Sequence, residues 1–294
     1  MTSKITRRDF LQRVGGGAAL FAAPALRLSA QEQDAPLRPT LLQGDAVPER
    51  PVVKIAHCCD PQLGFDGPDA YEADLKRLEK EIEKVNALRP DLVFFAGDMV
   101  NKCEDLEKDW PAILQKIDAP ILVAPGNHDI PEPVTGENVA RFVKVFDREY
   151  SSLEFNGWRF VVLNTQYCRP ECDPTLYTAQ VEWMREELAK AKEAGQNVIV
   201  GSHIPPFVKS PDEEDAYFNI PTTYRAEYLD YLAAHNVYFY LAGHTHTTLQ
   251  RDYKGLPILN GETTSKNFDK RPFGFRFLQV DSKLNYAWTF HPVE

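Results

Sequence analysis

The chain has 294 residues, 43% apolar and 26% charged, ordinary values for a globular protein. Residues 1–30 carry five Lys/Arg and one Asp, which leaves 28 basic against 42 acidic residues in the remainder, a net charge of −14. That balance repels nucleic-acid phosphates, so no nucleic-acid partner is expected and a general nuclease is disfavoured. No repeat, linker or low-complexity tract divides the chain after about residue 50, so residues 51–294 read as one domain.

The elements follow in chain order. Thr6-Arg7-Arg8-Asp9-Phe10-Leu11-Gln12 matches the twin-arginine export pattern, and the apolar run from Val14 to Ala25 follows it. A run of about 12 residues is too short to span a bilayer, so no permanent membrane anchor is expected. Residues 1–30 are therefore expected to be an export signal read by the twin-arginine translocation machinery. Delivery would be to the bacterial periplasm or the extracellular space, with cleavage after Ala25 or Ala30. Residues 31–50, rich in Gln, Glu, Pro, Asp and Arg, read as a flexible segment. Strands are predicted at Val52 to Cys58, Leu92 to Ala96 and Ala119 to Val123, with helices at Tyr71 to Leu88 and Glu104 to Ile117 between them. A helix is predicted from Val139 to Tyr150. Leu153 to Phe155 and Trp158 to Leu163 form a hairpin through Asn156-Gly157. Helix Ala179 to Ala194, strand Asn197 to Gly201, helix Thr223 to His235 and strand Val237 to Ala242 follow. Antiparallel strands are predicted at Thr247 to Tyr253, Leu256 to Leu259, Phe273 to Val280 and Leu284 to Phe290. Strand-helix units followed by hairpins imply an α/β fold of two sheets packed face to face, with helices outside.

Polar residues recur where these strands end. The five stretches are Asp60-Pro61-Gln62, Gly97-Asp98, Gly126-Asn127-His128-Asp129, Ser202-His203-Ile204-Pro205 and Gly243-His244-Thr245-His246. Ligands of α/β folds collect at strand ends. Carboxylates, amide oxygens and imidazoles together form a donor set suited to borderline divalent metals. Asp129 reads as a turn cap, and the acidic run Asp212 to Asp215 as a solvated loop close to His203. Lys266, Lys270 and Arg271 also read as solvated. Five cysteines lie outside the leader; Cys168 and Cys172 share one loop and are the candidate disulfide pair, while Cys58 and Cys59 read as packed thiols.

Taken together, these motifs and their order resemble the calcineurin-like metallophosphoesterases over nearly all of residues 52–290. Asp60-Pro61-Gln62-Leu63-Gly64, His203-Ile204-Pro205-Pro206-Phe207, Asp212 to Asp215 and Tyr217-Phe218-Asn219 bring the chain nearest to the calcineurin-like phosphoesterase domain-containing, serine/threonine phosphatase-like branch. The resemblance implies a four-layer αββα sandwich of two mixed β-sheets flanked by helices. It also implies two divalent metal ions, manganese, iron or zinc. Asp60, Gln62, Asp98 and His246 would hold one metal; Asp98, bridging, with Asn127, His203 and His244 would hold the other. His128 would stay off the metals and act as the acid. Gln62 stands where most members have histidine, and a glutamine oxygen is a harder, weaker ligand that favours manganese or iron over zinc. Asn101 stands where many members have an aspartate that orients the catalytic histidine, which leaves His128 less basic. The implied reaction is hydrolysis of phosphate esters, foremost monoesters, by a hydroxide bridging two metals. The substrate would be a phosphorylated small molecule or a phosphoprotein. The alternatives are a phosphodiesterase or nucleotidase on small nucleotides, and a non-catalytic binding protein on the same fold.

Overall fold

Ile55, Leu92 and Phe94 pack to one side of their strands, and Ala56, Val93 and Phe95 to the other; all six are fully buried. A strand buried on both faces needs a layer above and below it, and its sequence is then continuously apolar instead of alternating. The computed structural model, which describes residues 38–268 and 270–293, supplies both layers.

The first sheet contains β1 (Thr40–Leu41), β2 (Pro51–Cys58), β3 (Leu92–Phe95), β4 (Ile121–Val123), β11 (Gly274–Asp281) and β12 (Asn285–Pro292), in the order β1-β12-β11-β2-β3-β4. β2, β3 and β4 run parallel, while β11 is antiparallel to both β2 and β12. The second sheet contains β5 (Ser151–Phe155), β6 (Trp158–Val162), β7 (Asn197–Gly201), β8 (Val237–Ala242), β9 (Leu249–Tyr253) and β10 (Leu256–Asn260), in the order β5-β6-β7-β8-β10-β9. β6, β7, β8 and β10 run parallel, with an antiparallel strand at each edge.

Three apolar clusters mark the interfaces between layers. One joins the outer face of the first sheet to α1 (Tyr71–Leu88), α2 (Leu106–Leu114) and α3 (Gly136–Phe146). The second lies between the sheets, where Phe94 and Phe160 meet at 4.9 Å between ring centroids. The third joins the second sheet to α4 (Pro174–Glu193) and α5 (Thr222–Ala234). The architecture is the expected αββα sandwich of two mixed sheets.

Several local expectations are corrected. Residues 38–50 are not wholly flexible: Thr40 and Leu41 pair in parallel with Asn285 and Tyr286, and Leu41 packs on the inter-sheet core. The two backbone bonds Thr40 N–H to Leu284 O and Leu42 N–H to Tyr286 O fix this strand, which is too short to show a periodic pattern. α4 begins at Pro174, because Asp173 accepts the Thr175 N–H as an N-cap and proline suits the first helical position. α3 ends at Phe146, where Asp147 turns to φ 72° and breaks the helical run. Cys168 and Cys172 are buried, unbridged thiols. The expected export leader, residues 1–30, lies outside the described residues.

Candidate metal centre

The parallel strands of both sheets end on the same side, and the loops that leave them carry the polar residues. Asp60 and Gln62 follow β2, Asp98 follows β3, and Asn127 and His128 follow β4. His203 follows β7, while His244 and His246 follow β8. The loops are tight and strained. Five of the twelve non-glycine residues with positive φ among the described residues are Asp60, Gln62, Asp98, His244 and His246, with φ between 34° and 72°. Such backbone costs on the order of 1 kcal/mol or more per residue and persists where surrounding contacts over-determine it. Here the Asp60 carbonyl accepts from Thr263 Oγ1 at 2.6 Å and Ser265 Oγ at 3.0 Å, and the Gln62 N–H donates to the Asp98 carbonyl at 2.7 Å. Glycine is needed where loops touch: a Cβ on Gly126 would sit 2.1 Å from Asp98 Oδ1, and one on Gly243 would sit 2.7 Å from Asp60 Oδ2.

Asp60, Asp98 and His246 bring one ligand atom each within 4.8 Å of one another, and so do Asp98, His203 and His244. Asp98 belongs to both groups. Its Oδ2 lies 3.4 Å from His203 Nε2, and its Oδ1 accepts the His128 N–H at 2.8 Å. His246 Nε2 lies 3.7 Å from Asp60 Oδ1. Each imidazole is aimed by a carbonyl, which can only accept. His203 Nδ1 donates to Ala96 O at 2.7 Å, His246 Nδ1 to Lys266 O at 2.6 Å, and His244 Nε2 to Tyr217 O at 2.9 Å. The other nitrogen of each ring is thereby turned toward the centre, the arrangement that orients metal-binding histidines.

The charges are buried and mutually dependent. Burial pushes the Asp60 carboxyl up, against His246 and His203. Burial acts likewise on Asp98, but His203, His128 and His244 outweigh it and hold that carboxyl well below the usual range. His203 would be lowered by its burial, yet Asp98 and Asp60 raise it to about 9. Burial and the neighbouring His203 lower His244. Two carboxylates are thus buried together among imidazoles, a setting suited to a cation. The remaining donors also fit a metal. Gln62 Oε1 is buried without a hydrogen-bond partner, and such an orphaned acceptor costs roughly 1–3 kcal/mol unless something binds it. Asn127 Oδ1 faces His203 Nε2 at 3.1 Å. Five of the seven residues expected as ligands, Asp60, Asp98, His203, His244 and His246, thus fall in the two clusters, with Asn127 beside His203 and Gln62 on the Asp60 loop.

His128 is half-buried beside that centre, and its Nδ1 bonds to the Asn101 carbonyl at 2.8 Å. The orienting role expected to be missing at Asn101 is taken by its main chain, while its side-chain oxygen lies 3.5 Å from Gln62 Nε2. Asp129 does more than cap a turn. It accepts N–H bonds from Gly126 and Met99 at 2.8 Å, tying the third loop to the second, and burial together with Asp98 raises it to about 7. In the acidic run, Glu213 is not simply solvated: its carboxylate accepts the N–H groups of Val208, Lys209 and Ser210. Lys266 pairs with Asp66, and Arg271 with Glu262. Tyr217 was not foreseen as part of the centre. Its carbonyl aims His244 and its hydroxyl accepts from Asn127 Nδ2 at 3.0 Å.

Residues 53–248 match the family model described as calcineurin-like phosphoesterase. The serine/threonine-protein phosphatase CPPED1 of Rattus norvegicus is 30% identical over 247 residues, covering 76% of this chain and 79% of the relative. Its Homo sapiens counterpart is 30% identical over 249 residues, with the same coverage of 76% and 79%. Among solved structures, a dimetal phosphatase from Danio rerio superposes with a TM-score of 0.59 over 83% of this chain and 98% of that one. Its 13% identity makes that a likeness of fold. The strand-end donors, the αββα sandwich and the extent of these matches agree: the chain belongs to the calcineurin-like phosphoesterase family and is a phosphoric ester hydrolase.

Proposed function

We propose that the protein hydrolyses phosphate monoesters at a centre of two divalent metal ions. Asp60, Gln62, Asp98 and His246 would hold one ion, and Asp98, Asn127, His203 and His244 the other. The observation that carries this reading is the position of Asp98, whose carboxylate belongs to both ligand clusters. When bound, the ions supply charge for the phosphoryl oxygens and acidify a water so that it ionises near neutral pH. The chain does the rest. Asp98 fixes the spacing of the two halves and, through its bond to the His128 N–H, the position of the acid. The Asn101 carbonyl holds the His128 Nδ1 proton, which leaves Nε2 as the group that protonates the departing alkoxide. The half-buried setting of Asn127 and His128 leaves that side of the centre open to an ester.

The monoester preference is supported by the phosphatase names of the relatives at 30% identity. The ligand count differs between the halves, three oxygens and one nitrogen against two of each, and suits manganese or iron in the first and zinc in the second. We further propose export by the twin-arginine route, on the motif at Arg7-Arg8. The test is to assay p-nitrophenyl phosphate and bis-p-nitrophenyl phosphate with manganese, iron or zinc added to metal-free protein. Faster turnover of the monoester supports the proposal. A faster diester would make the protein a phosphodiesterase, and metal-independent rates would overturn the metal centre.

A further inference from the structure

Among the described residues four large hydrophobics are exposed, and three of them border the metal centre: Tyr217 at 55%, Phe218 at 37% and Phe268 at 53%. The fourth, Val47, stands apart in the N-terminal segment. The three are arranged around the two histidines of one loop. The Tyr217 and Phe218 rings lie 4.8 and 5.3 Å from the His244 ring. Phe268 stacks on His246 at 4.8 Å with an 11° angle between planes, and the half-buried Phe65 lies 5.6 Å from the same imidazole. Scattered exposed side chains are normal; aromatic rings gathered at the rim of a polar centre mark a contact surface.

The segment carrying Tyr217 and Phe218 is anchored from beneath. The Glu213 carboxylate accepts three backbone N–H groups and the Asn219 amide at 2.7 Å. Asn219 Oδ1 accepts the Ala216 N–H at 2.9 Å. Arg225, 1% exposed, donates to the carbonyls of Pro211, Glu213 and Ile220. The half-buried Glu213 and the buried Asn219 and Arg225 thus fix a loop whose two aromatic rings remain exposed. The Tyr217 hydroxyl also reaches Asn127, so the leaving group of an ester held at the centre would meet these rings on the solvent side of His244 and His246.

We infer that the aromatic rim formed by Tyr217, Phe218, Phe268 and Phe65 is a leaving-group subsite, and that the substrate is a phosphate monoester whose alcohol carries a flat ring. This rests on the hydrolase reading above. Flat rings stack on aromatic side chains irrespective of the chemistry at their edges, so a nucleobase and a simple aryl group are both accommodated.

The experiment uses two matched pairs of esters with similar leaving groups, on the full metal-loaded chain. Adenosine 5′-monophosphate is set against ribose 5-phosphate, and benzyl phosphate against cyclohexylmethyl phosphate. The inference expects the ring-bearing member of at least one pair to have a kcat/KM about tenfold higher. The pair that shows it identifies nucleoside or aryl as the source of the ring. In Phe268→Leu and Phe218→Leu, which keep apolar bulk but lose the flat face, that ratio falls toward one. Calorimetric titration of the same esters into His128→Ala protein should show the same preference in Kd. Ratios within about twofold of one for both pairs, or variants that slow both members of each pair equally, would overturn the subsite and make the rings a packing shell for the histidines. Ring-dependent binding with no turnover of any ester would overturn the hydrolase reading and leave the subsite standing. Absence of both would overturn both.

Discussion

The first sheet contributes oxygen to the centre and the second contributes nitrogen. Asp60, Gln62, Asp98 and Asn127 leave β2, β3 and β4, whereas His203, His244 and His246 leave β7 and β8. The oxygen half is built from short loops held in place by one another: Asp129 bonds to Gly126 and Met99, and Gln62 to the Asp98 carbonyl. The nitrogen half is aimed by carbonyls from distant parts of the chain, Ala96, Tyr217 and Lys266. An imidazole needs one partner to set its ring plane, while a carboxylate that must serve two neighbours needs its backbone fixed. Only Asp98, from the oxygen half, joins both clusters.

That asymmetry can be broken experimentally, beginning at the residue both halves share. Asp98→Asn removes half the negative charge that the two carboxylates supply; losing several kcal/mol of transition-state stabilisation lowers kcat/KM by about 10³-fold or more. An Asp98→Asn enzyme within tenfold of the parent would contradict the shared role. His128→Ala leaves both ligand sets intact and should cost about 10²–10⁴-fold, with metal content unchanged. The loss should be greater for an alkyl phosphate than for p-nitrophenyl phosphate, whose leaving group needs no proton, and equal losses on the two esters would remove His128 from the acid role.

A third test concerns the support under the oxygen half. Glu81 in α1 is fully buried and bonds to Thr264 Oγ1 at 3.4 Å, and burial raises its carboxyl from 4.5 to about 7. The folded state therefore binds more protons than the unfolded state between those values. The Glu81 contribution is fully present below pH 4.5 and is lost as pH rises through 7, at a cost on the order of 3 kcal/mol above it. Glu81→Gln should flatten the denaturant-measured stability profile over that window at saturating metal; an unchanged slope would show that Glu81 is not responsible. The smallest effect is expected at Gln62. Gln62→His converts the harder site toward the composition of its partner and should raise zinc retention about tenfold, read by competition with a zinc chelator. No gain in zinc retention would place Gln62 outside the ligand set.

Much of this was legible in the sequence, for identifiable reasons. Val52 to Cys58, Leu92 to Ala96 and Asn197 to Gly201 are short apolar runs that stop at a polar residue, so strand and ligand were visible together. The αββα layering followed from strand-helix units. Other features have no side-chain signature. The carbonyls of Ala96, Asn101, Tyr217 and Lys266 orient histidines from the main chain, where residue identity carries no information. Asn101 illustrates the loss: its side chain suggested a missing partner for His128, and its backbone supplies one. The pairing of β11 with β2, across more than two hundred residues, is decided by tertiary packing that alternation alone does not encode. β1, two residues long, offers no period at all.

Asp98 is proposed to unite two metal sites, and elemental analysis of purified protein tests that most directly. Reconstituted parent and His128→Ala chains should each retain about two divalent ions per chain, and Asp98→Asn one or none. Full metal retention by Asp98→Asn, or a single ion in the active parent, would contradict it.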